Sequence, residues 1–434
     1  MSCNTNRLDE IADVIDSLHK TPQYSENGYP MVRATDVKYG YLNLENTLRV
    51  QKSIFEEFSR RYIPNKDDIV ITRVGSYGIT SLVKDTNFCL GQNTSVIVPK
   101  INARYLYFAL NSSYIKNQIE NSVVGSTQKT LSLKAINSLE IPRFNEETEK
   151  KIAHILSTLD DKIELNRKMN QTLEEMASAI FKSWFVDFDP VHAKANCKAE
   201  TELETIAKEL GVSKEILDLF PSKFEESELG MIPKGWEATE LSQICKIQSG
   251  YAFKSAWWQD TGVKVIKIKN IDGNRVNTLD CECVSEEIAT KNSNSKLLNG
   301  DMLIAMTGAT VGKVGVIYTS NEEYLLNQRV GRFQPIKHYD EYVKIFASSS
   351  KFFESIQGQA QGSAQPNISA REIESVKIVK PNEEIMKVFS LLLNPFFSKI
   401  LEHQGEIQSL EKTRDTLLPK LLSGEIDVSA LEIK

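Results

Sequence analysis

The chain has 434 residues, a formal charge of −6, 41% hydrophobic and 25% charged residues, which fits two or three ordinary globular domains. Its longest apolar stretch, Met386 to Leu401, is broken by Lys387, Asn394, Pro395 and Lys399, and a membrane span needs about 20 predominantly apolar residues. There is no secretory signal pattern, no CxxC pair among six cysteines, and only five histidines, so a cytoplasmic protein with reduced thiols and no metal framework is expected. The negative total also hides an asymmetry: residues 1–144 carry +3 and residues 240–380 carry +2, while the other segments are acidic. A DNA partner needs only local positive potential, so the charge permits one without demanding it.

In chain order, residues 1–142 read as a domain of short β segments, with an apolar run at Asp68–Thr72 and another, Val96–Val98, ending at a proline. Residues 143–188 predict one long helix. Residues 189–236 are an acidic linker with a short helix over Glu202–Leu210 and a turn-rich end, Ile232-Pro233-Lys234-Gly235-Trp236. Residues 237–380 predict a second β-rich domain, with strand-like runs at Val263–Lys269 and Asp301–Ala305. Residues 381–434 predict a second long helix and a tail.

The second half repeats the first. Gly125-Ser126-Thr127-Gln128-Lys129-Thr130-Leu131-Ser132 returns at an offset of 237 as Gly362-Ser363-Ala364-Gln365-Pro366-Asn367-Ile368-Ser369, and Asn145-Glu146-Glu147 meets Asn382-Glu383-Glu384. Upstream the offset drifts: Asp68 and Gly75 match Asp301 and Gly308 at 233, Gln92 matches Gln328 at 236, and Gly28 matches Gly262 at 234. Loop insertions produce such drift.

Each predicted long helix carries an apolar seam at alternating spacings of four and three. The first runs Ile152, Leu156, Leu159, Ile163, Asn166, Asn170, Leu173, Ala177, Ile180, Trp184. The second runs Phe389, Leu393, Phe396, Ile400, His403, Ile407, Leu410, Arg414, Leu417, Leu421. Sustained seams of this kind are coiled-coil signatures, so the two helices are expected to pair with one another, parallel or antiparallel. At about 1.5 Å per residue, Ile152 to Ile180 gives a spacer of roughly 43 Å, or about 13 base pairs of duplex. Asn166 and His403 hold matching seam positions in the repeat, where buried polar residues fix register.

Two motifs invite an enzymatic interpretation and fail it. Asn394-Pro395-Phe396-Phe397 resembles the Asn-Pro-Pro-aromatic loop of amino-methyltransferases, but it lacks the second proline, sits on the seam, and implies a helix kink instead. Gly308-Ala309-Thr310-Val311-Gly312-Lys313-Val314 is one residue too short between its glycines for a phosphate-binding P-loop and has valine where Ser or Thr must follow the lysine. No nucleophile, base or metal constellation stands out, so no catalytic residue is assigned.

The residues expected to read DNA lie in matched loops. Arg33 and Lys267 follow Gly28 and Gly262, with Asn270 three residues beyond Lys267 on a predicted strand. Arg73, Ser76 and Tyr77 follow the first apolar run, and Thr310 and Lys313 the second. Gln92 and Asn93 match Gln328 and Arg329. Gln128 and Lys129 match Gln365, while Phe253 and Lys254 add an aromatic and a cation. Arg and Lys suit guanine, and Asn and Gln suit adenine.

The residues also match a family. Leu159-Asp160-Asp161-Lys162-Ile163-Glu164-Leu165-Asn166, Phe181-Lys182-Ser183-Trp184-Phe185-Val186-Asp187-Phe188-Asp189-Pro190, Glu228-Leu229-Gly230-Met231-Ile232-Pro233-Lys234-Gly235-Trp236 and Arg414-Asp415-Thr416-Leu417-Leu418-Pro419-Lys420-Leu421-Leu422-Ser423-Gly424-Glu425-Ile426 resemble the specificity subunits of type I restriction–modification systems. The N-terminus departs from the pattern, lacking a Trp-containing lead-in like that at Trp236. The resemblance implies an α+β fold with two similar mixed α/β target recognition domains, a pseudo-twofold internal repeat, and spacer helices paired as an antiparallel coiled coil. It implies double-stranded DNA as partner, read as a bipartite gapped site. Two modification (methyltransferase) subunits would supply S-adenosylmethionine chemistry, and motor-nuclease restriction subunits would cut, with no cofactor bound by this chain. The competing expectation is a scaffold that joins other proteins through its coiled-coil rod and does not bind DNA.

Overall fold

A computed structural model describes residues 4–123, 129–197, 202–319, 322–360 and 366–431. The chain forms two compact units, Met1–Glu164 with Ser409–Lys434, and Leu165–Gln408, so each long helix contributes to both.

In the first unit a four-stranded antiparallel sheet has the order Ala12–Asp16, Thr94–Pro99, Ile69–Thr72, Thr80–Leu82. A second sheet holds Tyr24–Ser25, Leu48–Val50, Tyr29–Val32 and Cys89–Leu90, the last two parallel. Asn4–Arg7 pairs with Glu140–Arg143 as a separate ribbon. The four residues of Ile69–Thr72 are all buried, which explains their unbroken apolar run.

The second unit repeats this order. Cys245–Ser249, Val330–Pro335, Met302–Ala305 and Val314–Val316 stand as their four counterparts do, with Ile271–Val276 added parallel at the edge. Val263–Ile266 runs parallel to Tyr324–Leu326, as Tyr29–Val32 does to Cys89–Leu90. Glu237–Glu240 pairs with Lys377–Lys380 as the N-terminal ribbon does. The N-terminal departure from the family pattern therefore leaves the first strand intact. The strand predicted over Val263–Lys269 stops at Ile266, because Ile268–Asn270 turns in a short 3-10 helix.

The long helices span Glu146–Phe185 and Glu383–Leu422. Asn145 Oδ1 accepts from Thr148 N at 2.8 Å and Asn382 Oδ1 from Ile385 N at 2.9 Å, identical caps ahead of acidic first turns. The second helix continues unbroken through Pro395.

Within each unit the helix segments run antiparallel. In the first, Asp160 meets Arg414 at 2.8 Å and Lys151 Nζ donates to Ser429 O at 2.7 Å. In the second, Asn166 meets Glu406 at 2.7 Å and Asn170 meets His403 at 2.8 Å, so higher numbers on one helix face lower numbers on the other. Leu156, Ile163, Asn166, Leu393, Ile400, His403 and Ile407 are buried, and Leu159, Leu173, Ile180, Phe396, Leu410 and Leu417 are half-buried.

Each sheet is packed onto its helix segment. Ile152, Leu156, Leu418 and Leu421 join Leu8, Ile69, Tyr105 and Phe108 in one core. Phe181, Trp184, Phe185, Phe220, Trp236 and Phe389 form an aromatic core in the other, which also anchors the linker. Buried side chains of this size contribute about 1.5–3 kcal/mol each.

Candidate nucleic-acid interface

In both units the fully buried strand, Ile69–Thr72 or Met302–Ala305, ends in the same hydrogen-bonded junction of three loops. In the first, Arg73 N donates to Asn93 O at 2.9 Å, Leu131 N to Arg73 O at 2.8 Å, and Gly75 N to Lys129 O at 3.4 Å. In the second, Met306 N donates to Arg329 O at 3.0 Å, Ile368 N to Met306 O at 2.9 Å, and Gly308 N to Pro366 O at 2.9 Å. Gly75 and Gly308 sit at φ +76° and +78°, a left-handed conformation that other residues adopt only with strain. One backbone scaffold thus presents different side chains: Asn93 or Arg329, Lys129 or Pro366, Tyr77 or Thr310. In the second unit Thr307, Gln328, Arg329, Pro366 and Asn367 line an open polar depression.

Several residues expected at this surface are bound up in the fold. Arg73 Nη1 lies 2.5 Å from Asp16 and its Nε donates to Leu131 O at 3.1 Å. Burial alone would raise the Asp16 carboxyl, but hydrogen bonds from Arg73, Ser95 and His19 outweigh it and hold the group below its ordinary value. Asn270 is buried and donates to Asn277 O and Asp280 O, both at 3.0 Å, which fixes the turn after Ile266. Phe253 is 8% exposed and packs with Val265, Val284 and Leu325. These three side chains close the loops that carry them: Asn270 and Phe253 are buried, and Arg73 is engaged by Asp16 and the Leu131 carbonyl.

Two further cations are already paired. Arg33 binds Asp36 at 3.1 Å, and Lys267 pairs with Glu282 while lying 3.6 Å from the Trp258 ring centroid. Ser76, Asn93, Lys129, Lys254, Gln328 and Arg329 are exposed, and Tyr77, Gln92, Thr310 and Lys313 are half-buried. Tyr77 donates to Glu120 at 3.0 Å, Lys129 lies 3.6 Å from the same carboxylate, Gln92 donates to Thr21 at 3.2 Å, and Lys313 to Asp272 O at 3.5 Å. Gln128 and Gln365 lie outside the described residues.

Tyr251 and Trp257 lie outside the matched loops. Tyr251 is 39% exposed, and its ring is parallel to Trp257 within 5° at a centroid distance of 6.3 Å. Matching between repeats passes over them, since at the offset of 234 they meet Ser17 and Gln23. The density of Tyr251, Phe253, Trp257 and Trp258 within eight residues was the available signal.

Two copies of one scaffold, each with its own exposed amide and cationic groups, define a duplicated recognition protein. Among the described residues no group of three or more His, Cys, Asp or Glu could hold a metal ion, and no helix is long and apolar enough to cross a membrane. Residues 3–175 and 233–412 match the type I restriction modification DNA specificity domain, and the chain belongs to that family. It is 26% identical over 432 residues to the type I restriction enzyme MjaIX specificity subunit of Methanocaldococcus jannaschii, covering 95% of this chain and 90% of that one. It is 29% identical over 367 residues to the HindI specificity subunit of Haemophilus influenzae, covering 77% and 79%. The crystal structure of a type I restriction–modification S subunit from M. genitalium shares the fold, with a TM-score of 0.54 at 16% identity over 97% of this chain and 96% of that one.

Proposed function

We propose that this chain is the DNA-reading specificity subunit of a type I restriction–modification system, each unit reading one half of a bipartite, gapped site. The observation that carries the reading is the repeated three-loop junction with unlike side chains: the same backbone geometry, given different amides and cations, suits two different half-sites. The chain itself performs no chemistry in this account. Two modification subunits bind S-adenosylmethionine and methylate adenine, and motor-nuclease subunits cut unmodified DNA, all in the cytoplasm. Leu165, Met169 and Met176 are 51%, 40% and 47% exposed and recur four and seven residues apart on the first long helix. This apolar strip suits a helix of a modification subunit. A scaffold without DNA binding would have no use for exposed Gln328 and Arg329 on a rigid junction.

Adenine methylation mapped in a methylation-free host, with the chain co-expressed beside its modification subunit, tests the reading. A gapped two-part motif is expected. Replacing Gln328 and Arg329 by alanine should relax one half of it, at about 1–3 kcal/mol per lost base contact, and leave the other half unchanged. Association of the subunits without any motif would favour the scaffold.

A further inference from the structure

We infer that Tyr251, Lys254 and Trp257 form a sequence-independent anchor for the DNA backbone beside the loop carrying Gln328 and Arg329, an inference that rests on the DNA-reading function proposed above. The segment is fastened to that loop by its main chain. Gly250 N donates to Val330 O at 3.2 Å, Tyr251 N to Leu326 O at 2.8 Å, and Gln328 N to Tyr251 O at 2.9 Å. A Cβ on Gly250 would lie 2.1 Å from Leu326 O, so only glycine permits this approach. Below the surface, Phe253 packs into the small core with Trp257 and Trp258 against it. The exposed Tyr251 ring lies edge-on to Phe253 at a centroid distance of 5.2 Å and so rests on that core, at little entropic cost on binding.

The charges around it are unevenly distributed. Lys264 pairs with Glu322 at 2.6 Å, Lys267 with Glu282, and Lys269 with Asp280 at 3.3 Å. Lys254 lies 5.3 Å from the Trp257 centroid and, like Arg329, makes no ion pair among the described residues. These two cations therefore remain available to phosphate. In a paired duplex the base faces are covered by their neighbours, so a fixed aromatic ring beside a cation meets deoxyribose edges and phosphate, which every sequence offers. At the offset of 234 the first unit has Ser17, Lys20 and Gln23 in these places, and Lys20 pairs with Glu57 at 2.7 Å, so the anchor belongs to one half-site only.

The test uses the chain assembled with its modification subunits and a duplex carrying the motif found by methylation mapping, beside a duplex altered in the half read by the second unit. Tyr251→Ala and Trp257→Ala should each weaken binding to both duplexes about tenfold and leave the methylated motif intact. Tyr251→Phe should bind like the parent, which assigns the effect to the ring and not the hydroxyl. Unchanged melting temperatures of the alanine variants separate it from a folding defect, and Lys254→Ala should reduce the salt dependence by about one counterion. Unchanged affinity, or a changed motif, would overturn the anchor. If Gln328→Ala and Arg329→Ala also left affinity and motif untouched, the DNA-reading function of this unit would fall with it, whereas an effect there would leave that function standing.

Discussion

Asp16 and Arg73 show at the residue scale how a charge carried in a matched loop is neutralised within the fold. The carboxylate is held down by Arg73, Ser95 and His19 against the opposing effect of burial. A depressed value in the folded state means that the stabilisation is present above the ordinary value of 3.8 and lost as pH falls through the lower folded value. Asp16→Asn, which leaves the Arg73 guanidinium largely buried without its counter-charge, should cost about 3 kcal/mol at pH 7. In urea melts the gap between parent and variant should stay constant from neutrality to about pH 5 and close below the ordinary value. A gap independent of pH would contradict the assigned pair. The thiols at Cys89 and Cys245 are pushed up to about 12, with burial the largest cause in each. Neither should react with iodoacetamide at pH 8 until the chain is unfolded, as peptide mapping can show. Sequence pattern found the loops that carry Gln92, Asn93, Gln328 and Arg329 because the glycines and amides recur at matched positions. It could not separate Arg73 from Arg329, since the partner that neutralises Arg73 is 57 residues away and no local pattern encodes it.

At the scale of elements, the long helices were legible because a seam of alternating spacing and an Asn-Glu-Glu start occur twice. Their direction was not, because a seam is the same read either way; cross-helix pairs such as Asp160–Arg414 and Asn170–His403 fix it. The repeat also concealed specialisation. Arg414 matches Ala177, yet its guanidinium lies 4.5 Å from the Tyr39 ring centroid and binds Asp160, joining the first β domain to its own helix segment. Arg414→Met should therefore destabilise the first unit by about 2–4 kcal/mol, whereas Ala177→Ser on the other helix should be far milder. The buried Asn170–His403 layer behaves differently. Asn170→Leu alone removes the acceptor 2.8 Å from the His403 ring and should lower the melting temperature, while Asn170→Leu with His403→Leu should recover most of the loss. A double variant no more stable than the single one would show that the layer is not coupled.

For the whole molecule, duplication is the organising fact. Sheet order, parallel pairing, helix caps and the three-loop junction are shared between the units, while the exposed side chains and the aromatic segment at Tyr251 are not. Shared features were visible as sequence matches; the differences, to which we assign specificity, emerged only from contacts that span tens to hundreds of residues. If each unit reads independently, the two half-sites are separable. The most direct measurement is therefore a methylation map of the chain with residues 1–142 replaced by the corresponding domain of a relative, co-expressed with the same modification subunit. Independent reading by the two units requires one half of the gapped motif to change and the other half to persist. A motif altered in both halves, or in neither, would contradict it.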